Sequence, residues 1–351
     1  MSLTGIGLQE ISMANPEQWD SIVKSFKYYE PFYLYGYVKA FADHSGSEPV
    51  LLLHEQDEQR AVNVVLKRDV VELNGFANHI DARTYFDLST PYGYGGFLSD
   101  SSITPCIQQV YNQYCLQQGY VCEFVRFNLF SDYAQYYDGT VRSNMVNVVC
   151  DLSGSWDDVF GRYQGKTRQK VRKVEKSGWQ VRVGNSDQDI ESFLPVYYET
   201  MDRNEAKDMY YFKREFFETL KELGNGVQYF FAEKDGMIGA ANVLISGAQS
   251  AYCFLSSTTR EFLKESPNYL LMSKMVEWSH TQGFKHFVIG GGYGNNDELL
   301  RFKKGFAPEG LYDFYIGSKI FNQQAYDRLV DIRRSLGQFD ESSFYFPLYR
   351  S

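Results

Sequence analysis

The chain is poor in the residues from which metal and disulfide sites are built. Its 351 residues include five histidines and five cysteines. The histidines form no His-Glu-x-x-His pattern, so no metal site is expected. The cysteines are odd in number and form no Cys-x-x-Cys pair, which is typical of reduced thiols in a cytoplasmic protein; they are Cys106, Cys115, Cys122, Cys150 and Cys253.

Long apolar runs and an excess of positive charge are also missing. No apolar stretch approaches the roughly twenty residues that a membrane-spanning helix needs, and no signal peptide is recognisable. We therefore expect a cytoplasmic protein without an integral membrane segment. The formal net charge of −9 repels nucleic acid and anionic lipid, so the binding of either requires a local basic patch.

Hydrophobic periodicity and turn signals predict the same order of elements twice. Each half contains a strand, two helices, three strands, a helix, a further strand, in one case a short helix, and a last strand, without obvious sequence identity between the halves. In the second half the patterns predict a helix over about Asp187–Arg203, a hairpin turn at Asp235-Gly236 and a later helix with Ser266 as its cap. The predicted class is α/β with a mixed sheet. At 351 residues the chain is long enough for two domains. We expect an N-terminal domain over residues 1–145, a C-terminal domain over 146–322, and a C-terminal helix and tail over 323–351.

Residues 285–308 begin with a short apolar run that predicts a buried strand. Gly290-Gly291-Gly292 follows, and such a run permits positive φ and the close approach of a backbone or ligand. Asp297 stands at the expected N-cap of a short basic helix that carries Arg301-Phe302-Lys303. Two interpretations remain open. One is a site for an anionic or carbonyl-bearing ligand at a strand's carboxyl end; the other is an ordinary glycine-rich connection with a solvated helix.

A basic segment lies at residues 162–182. Arg168 and Arg172 are one turn apart on a predicted helix, so they could present two guanidinium forks to one phosphate. A solvated helix face is the alternative explanation of such a charge run. We favour phosphate binding because the chain as a whole is acidic. Against the single acid Glu175, the segment holds Arg162, Lys166, Arg168, Lys170, Arg172, Lys173, Lys176 and Arg182.

Further candidates for substrate contact lie near the ends of predicted elements. Arg203-Asn204 closes a helix, although Arg203 could simply neutralise the helix C-terminus. Tyr252 is on a central strand that ends near Ser256, and it could equally be a packed core tyrosine. Tyr92-Gly93 lies in a loop rich in glycine and aromatics that follows another strand.

The element order resembles the GNAT acyltransferase fold used twice. Its tandem form is similar to the FemABX peptidyltransferases, which add amino acids from aminoacyl-tRNA to peptidoglycan precursors. The Gly290-Gly291-Gly292 run is similar to Fem-like GNAT proteins tied to cell-surface polysaccharide synthesis. The resemblance spans most of the chain and is strongest over about 150–310. Its motifs are the basic helix 166–178 that ends in Lys-Ser-Gly, the segment 266–271 (SPNYLL) and the segment 301–306 (RFKKGF).

This resemblance implies roles for individual residues. Phe302 and Lys303 match the family's Phe-Lys pair, whose lysine helps to bind the donor and stabilises charge at the reacting carbonyl. Tyr252 matches a tyrosine on the central strand, and Tyr92 matches a position that contacts the acceptor's phosphosugar. The catalytic candidates are thus Lys303, Phe302 and Tyr252. The candidates for substrate and donor binding are Arg168, Arg172, Arg203, Asn204, Tyr92, Gly93, Ser256, Asn268, Tyr269 and Gly291.

Two features depart from the family pattern. The second half has no long heptad insertion, so a coiled-coil arm is not expected. In addition, residues 256–266 contain no glycine, whereas acetyl-CoA-using domains place there a Gln/Arg-x-x-Gly-x-Gly/Ala loop whose amides hold the pyrophosphate. The resemblance therefore argues against ordinary acetyl-CoA use.

The expected function is an acyl- or aminoacyl-transfer to an amine of a cell-wall or surface-polysaccharide precursor. The donor would be aminoacyl-tRNA or an acyl-CoA or acyl-carrier thioester, and no bound cofactor is expected. The acceptor would be a small-molecule or lipid-linked amino-sugar or peptide; tRNA is a candidate partner and DNA is not. No carboxylate or histidine stands out as a general base. The alternatives are a non-catalytic module that binds a nucleotide-sugar or tRNA end, and a scaffold for a biosynthetic complex.

Overall fold

The helices and strands of the chain form two compact units. The first contains the residues up to Tyr28 together with Phe32–Asn144 and Phe314–Ser351, and the second contains Tyr29–Pro31 and Met145–Asp313. A computed structural model describes residues 7–56, 59–292, 298–337, 339–340 and 343–351. The predicted N-cap Asp297 lies outside the described residues.

Strands and helices alternate along the chain much as the periodicity predicts. The described strands are β1 (Leu8–Ile11), β2 (Glu48–Gln56), β3 (Gln59–Asp69), β4 (Phe86–Ser89), β5 (Leu98–Ser99), β6 (Cys122–Arg126), β7 (Thr140–Asp151), β8 (Gln180–Gly184), β9 (Val227–Lys234), β10 (Met237–Ser246), β11 (Ser250–Thr258), β12 (His286–Gly290) and β13 (Leu311–Ile320). The described α-helices are α1 (Pro16–Lys24), α2 (Tyr35–Ser45), α3 (Pro105–Gln117), α4 (Trp156–Gly161), α5 (Gly165–Lys176), α6 (Asp187–Arg203), α7 (Arg214–Leu220), α8 (Asn268–Thr281), α9 (Glu298–Lys304) and α10 (Gln323–Ser335).

The sheet of the first unit has the strand order β1-β2-β3-β4-β6-β13, with β5 on β3. The strands β4 and β6 are parallel and α3 connects them, while β13 runs antiparallel to β6. The prediction assigned β13 to a domain of residues 146–322. Its pairing corrects that assignment from Phe314 onward, because Ile316–Ile320 hydrogen-bonds to Cys122–Arg126.

The second unit has the strand order β7-β12-β11-β10-β9-β8. Its apolar core contains side chains of α5, α8 and the strands that they cover, and α6 packs against β10 and β11. The turn between β9 and β10 is Asp235-Gly236, both with positive φ. Lys234 pairs directly with Met237, as a two-residue hairpin loop requires. The predicted hairpin and the predicted mixed α/β class are both confirmed.

One irregularity of this second sheet positions the candidate site. The parallel strands β11 and β12 pair from Ser250 with His286 to Tyr252 with Val288. In the described residues of both strands, no pair follows Val288, although β11 continues to Thr258 and β12 to Gly290. The carboxyl ends of the two strands are therefore open to a ligand, because their backbone groups are not used on each other.

The start of α8 differs from the prediction. Ser266 was expected to cap this helix, but its φ is +60° and its hydroxyl donates to the Leu263 carbonyl at 3.4 Å. An N-cap residue needs an extended backbone, so Ser266 belongs to the preceding turn and the helix begins at Asn268. Within the described part of the chain, no helix combines the length and the apolar character needed to cross a membrane.

Candidate functional site

The Lys303 ammonium lies where β12 ends. Its Nζ donates to the Gly291 carbonyl at 2.6 Å, and a Cβ added to Gly290 would stand 3.4 Å from the same Nζ. Gly290 has a φ of +89°, which few residues other than glycine adopt without strain. The glycine run therefore turns the chain at the strand's end and leaves room for the lysine side chain.

The charge of Lys303 also reaches the open part of β11. Burial raises the pKa of the Cys253 thiol to about 11, and the charge of Lys303 lowers it. Cys253 directly follows Tyr252, which belongs to the last pair between β11 and β12. The ammonium is therefore near the residues at which the two strands separate. A fixed cation in such a position can stabilise an oxyanion that forms on a bound carbonyl.

Aromatic rings form an apolar wall beside this lysine. The Phe302 ring contacts Tyr269 edge-on, with 4.9 Å between centroids, and it contacts Phe306 at 5.2 Å. The Lys170 ammonium lies 5.5 Å from the Tyr269 ring centroid. The fold thus brings Phe302 against Tyr269, which is far from it in sequence, and Lys303 directly follows Phe302 in the chain.

Two further candidates meet at the end of β11. The Arg203 guanidinium donates to the Thr258 carbonyl at 2.7 Å, and the Asn268 amide donates to the Thr258 hydroxyl. The Asn268 Oδ1 is buried and has no hydrogen-bond partner among the described residues. Asn204 ends α6, and its backbone N–H donates to the Thr200 carbonyl at 3.1 Å. Arg203 thus fixes the end of β11, while Asn268 has an acceptor available to a ligand.

On the basic helix α5, the Arg168 and Arg172 guanidinium groups are not arranged as predicted. The Arg168 guanidinium donates to the carbonyls of Gly161 and Tyr163, and the Arg172 guanidinium lies 5.4 Å from the Phe160 ring centroid. Arg168 therefore satisfies carbonyls at the C-terminus of α4, and the two forks do not stand side by side towards solvent. The exposed cations of this helix are Lys166, Arg172, Lys173 and Lys176.

The remaining predicted residues of the second unit are Ser256, which faces solvent, and Gly291, which acts through its backbone. Ser256 is exposed on β11 and pairs with Asn242 of β10. Gly291 supplies the carbonyl that holds Lys303. Among the described residues there is no group of three or more His, Cys, Asp or Glu side chains placed to hold a metal ion.

A buried carboxylic acid, which sequence reasoning missed, lies beside Tyr252. Glu30 is 4 % exposed and Tyr252 is 3 % exposed. Burial raises the pKa of Glu30 to about 8, while hydrogen bonds from the Tyr252 and Ser250 hydroxyls lower it. Glu30 belongs to the short segment Tyr29–Pro31, which packs with the second unit. No local pattern marks it, because its partners come from a strand far along the chain.

The Tyr92 loop belongs to the first unit. Tyr92 is 39 % exposed. It stacks on Phe41 with 5.9 Å between centroids, and the Arg126 guanidinium also lies 5.9 Å from its centroid. Gly93 has a φ of +97°, and a Cβ there would stand 2.5 Å from the Phe32 ring. The loop thus presents an aromatic face beside a guanidinium, a combination that can contact a sugar and its phosphate. Arg126 was missing from the predicted candidates.

Comparisons with known proteins agree with this architecture. A family model for the GNAT acetyltransferase domain matches residues 161–304. A UDP-N-acetylmuramoylpentapeptide-lysine N(6)-alanyltransferase of Weissella viridescens is 22% identical over 193 residues, which are 53% of this chain and 56% of that protein. The chain thus matches only about half the length of this curated relative.

Solved structures give the likeness over nearly the whole chain. FemX has a TM-score of 0.69 at 14% identity, covering 91% of this chain and 99% of that one. The C-terminal domain of a putative lysylphosphatidylglycerol synthetase from Agrobacterium fabrum has a TM-score of 0.55 at 11% identity, covering 93% and 96%. L-PGS of Bacillus licheniformis has a TM-score of 0.53 at 13% identity, covering 91% and 96%.

These findings confirm the predicted resemblance to FemABX-like proteins and the predicted tandem GNAT-type fold. The matched domain model describes acetyltransferases and the curated relative is an alanyltransferase, in agreement with the expectation of a transferase. The structural likenesses, at identities below 25%, concern the fold alone.

Proposed function

We propose that the chain is an aminoacyltransferase that joins an activated aminoacyl ester to an amine of a cell-wall precursor. The observation that carries this proposal is the Lys303 ammonium, held at 2.6 Å by the Gly291 carbonyl near the separated ends of β11 and β12. A carbonyl bound there would develop its negative charge beside a fixed cation. The similar Weissella viridescens protein is an alanyltransferase, which supports the same chemistry.

The proposed reaction needs a fixed cation beside the reacting carbonyl and an apolar surface that excludes water. The amine attacks the ester carbonyl, the Lys303 ammonium stabilises the oxyanion, and collapse of the tetrahedral intermediate breaks the bond to the donor's oxygen. The wall of Phe302 and Tyr269 would keep water from competing with the amine. The products are an amide and the free hydroxyl of the donor.

We propose aminoacyl-tRNA as the donor. The residues after β11 contain no glycine, and the Thr258 carbonyl and hydroxyl already bind Arg203 and Asn268. This arrangement differs from a glycine loop whose amides cradle the pyrophosphate of a coenzyme. Exposed cations of α5, among them Lys166 and Lys173, offer instead a surface for a nucleic-acid backbone. Arg172 remains a candidate for a phosphate contact, whereas Arg168 is used within the fold.

The acceptor would be a peptidoglycan-type precursor that carries a free amine. The Weissella viridescens relative acts on the lysine of a UDP-N-acetylmuramoyl pentapeptide. The Tyr92 loop with Arg126 is our candidate for contact with the acceptor's phosphosugar. An aromatic face and a guanidinium are groups of the kind that bind sugars and phosphates.

A donor panel tests this proposal. The protein is incubated with a UDP-muramoyl pentapeptide and with either a set of aminoacyl-tRNAs or a set of acyl-CoAs, and the acceptor is weighed by mass spectrometry. We expect one added aminoacyl group from a charged tRNA and none from acetyl-CoA. Transfer from acetyl-CoA alone would overturn the donor assignment. Precursor binding without transfer from any donor would favour the non-catalytic module instead.

A further inference from the structure

A bulge near the end of β12 brings Gly290 beside a buried amide of β7. The pairing of the two strands shifts by one residue just before Gly290, which lies opposite Val148. A bulge of this kind bends a strand and changes the direction of the residues that follow it. Val148 directly follows Asn147, which is 4 % exposed. The end of β12 therefore lies next to a polar side chain inside the second unit.

The Asn147 amide and the Lys303 ammonium border the same space. A Cβ added to Gly290 would stand 3.4 Å from the Lys303 Nζ and 3.8 Å from the Asn147 Oδ1. Apart from the chain neighbours of Gly290, no other atom of the described residues lies within 4 Å of that position. The glycine thus leaves room that is bordered by a cation and by an amide oxygen.

A single reacting centre can contact both groups. The Nζ and the Oδ1 cannot be farther apart than the sum of their distances from the Gly290 Cβ position. The tetrahedral carbon of an acyl transfer carries both the oxyanion and the attacking nitrogen, and hydrogen bonds of about 2.9 Å extend from each of them. The oxyanion needs a donor, which is the ammonium of Lys303. The nitrogen carries N–H groups that need an acceptor, and an amide oxygen is one.

The chemical character of Asn147 is unusual for its position. Its neighbours on β7 are Val146, Val148 and Val149, residues that suit a strand, whereas asparagine is depleted in strands. Burial of an amide also costs free energy that an apolar side chain would not cost. Exceptions of this kind to the local pattern are expected at functional sites.

We propose that the Asn147 Oδ1 accepts a hydrogen bond from the attacking amine of the acceptor and directs its lone pair at the donor's ester carbonyl. This inference rests on the proposed function and gives the amine its place beside the oxyanion. The acceptor's ammonium first loses a proton to solvent. The nitrogen then bonds to the carbonyl carbon, and the electron pair of the carbonyl moves to the oxygen beside Lys303. When that pair returns, the bond to the donor's oxygen breaks, and this oxygen takes a proton from the nitrogen.

The contribution of the amino group to binding tests the contact without turnover. A UDP-muramoyl pentapeptide, and the same precursor with norleucine in place of lysine, are titrated into the wild-type protein and into Asn147→Leu. Norleucine keeps the carbon chain and lacks the amino group. We expect the wild type to bind the lysine precursor about 10- to 100-fold more tightly, and Asn147→Leu to bind both with similar affinity. A wild type without this preference, or a preference that survives in Asn147→Leu, would overturn the inference.

Transfer from the active donor of the panel gives the second measurement. Asn147→Leu should lower kcat/KM for the acceptor by about 10- to 100-fold and leave the KM for the donor unchanged. Asn147→Ser keeps a polar group in the buried position, but its oxygen does not extend as far, so it should also lose activity; it serves where the leucine variant does not fold. The matched control is Asn63→Leu, the same change at a buried asparagine of β3 in the first unit, which should keep the wild-type rate.

The two measurements together separate the possible outcomes. Wild-type transfer in Asn147→Leu contradicts the inference and leaves the proposed function standing. A raised KM for the donor, with an unchanged preference for lysine over norleucine, would place the donor's own amino group at Asn147 and also overturn the inference. A preference that depends on Asn147, without transfer from any donor, supports the contact and contradicts the proposed function.

Discussion

Replacing Lys303 with a neutral, unbranched side chain of similar length should remove transfer while the fold remains. Lys303→Met keeps the apolar stem, which lies among half-buried residues of α9, and removes both the charge and the hydrogen bond to the Gly291 carbonyl. Lys303→Arg keeps a cation and a donor. The two variants therefore separate the charge from the packing of the stem.

The expected magnitudes follow from the contacts of Lys303. Loss of one group that stabilises an oxyanion costs about 10²- to 10³-fold in kcat, or roughly 2.7–4 kcal/mol. Loss of the hydrogen bond to the half-buried Gly291 should cost only about 1 kcal/mol of folding free energy, which shifts Tm by about 2–4 °C for a unit of this size. The effect on activity should therefore far exceed the effect on stability.

Single-turnover transfer from the aminoacyl-tRNA found in the donor panel, together with thermal unfolding, measures both quantities. The control is Lys304→Met, the same chemical change at the next residue, which should keep kcat within about threefold of the wild-type value. Lys303→Arg should retain part of the activity. If Lys303→Met transfers as fast as the control, the ammonium does not stabilise the transition state and the proposed site is wrong.

Three further variants address other contacts. Gly247→Ala should displace the segment Tyr29–Pro31, because the added Cβ would stand 2.5 Å from a backbone oxygen. We expect the unfolding free energy to fall by about 1–3 kcal/mol and kcat to fall with it. An unchanged kcat would show that transfer does not need this segment in its position. Arg203→Ala removes a 2.7 Å hydrogen bond at the end of β11 and should raise the KM for the donor more than it lowers kcat; an unchanged KM would refute a donor contact there. The fully buried Asp87 carboxylate pairs with Arg68 and Arg350. Asp87→Asn should therefore lower the urea unfolding midpoint by the equivalent of about 3–5 kcal/mol. A midpoint equal to that of the wild type would contradict this prediction.

Local signals in the sequence were sufficient to predict most of the elements. Helix α6 occupies Asp187–Arg203 as the periodicity predicts, and the structure adds a capping box at Ser186. The Asp235-Gly236 pair forms the hairpin that its positive-φ preference predicts. Because these signals depend on neighbouring residues only, they also gave the order of elements, and with it the α/β class and the resemblance to tandem GNAT proteins.

Part of the candidate site could also be predicted, because its residues lie in short local motifs. The short motifs that contain Phe302, Lys303 and Tyr269 are visible in the sequence. The fold places the Phe302 ring against Tyr269 and the Lys303 ammonium on the Gly291 carbonyl. Their catalytic and binding roles stay predictions until the variants are measured. The motif could not indicate that Arg168 would bind carbonyls at the end of α4, since that depends on how two helices meet.

By itself, then, the sequence determined which segments become helices and strands and which glycines turn the chain at their ends. Only the tertiary structure decided that β13 from Phe314 onward pairs with β6, that β11 and β12 separate after Tyr252, and that Glu30 is buried against β11. The physical reason is the distance along the chain over which each kind of interaction acts. Periodicity and turn chemistry act over a few residues, whereas strand pairing and the burial of a carboxylic acid depend on contacts between distant parts of the chain.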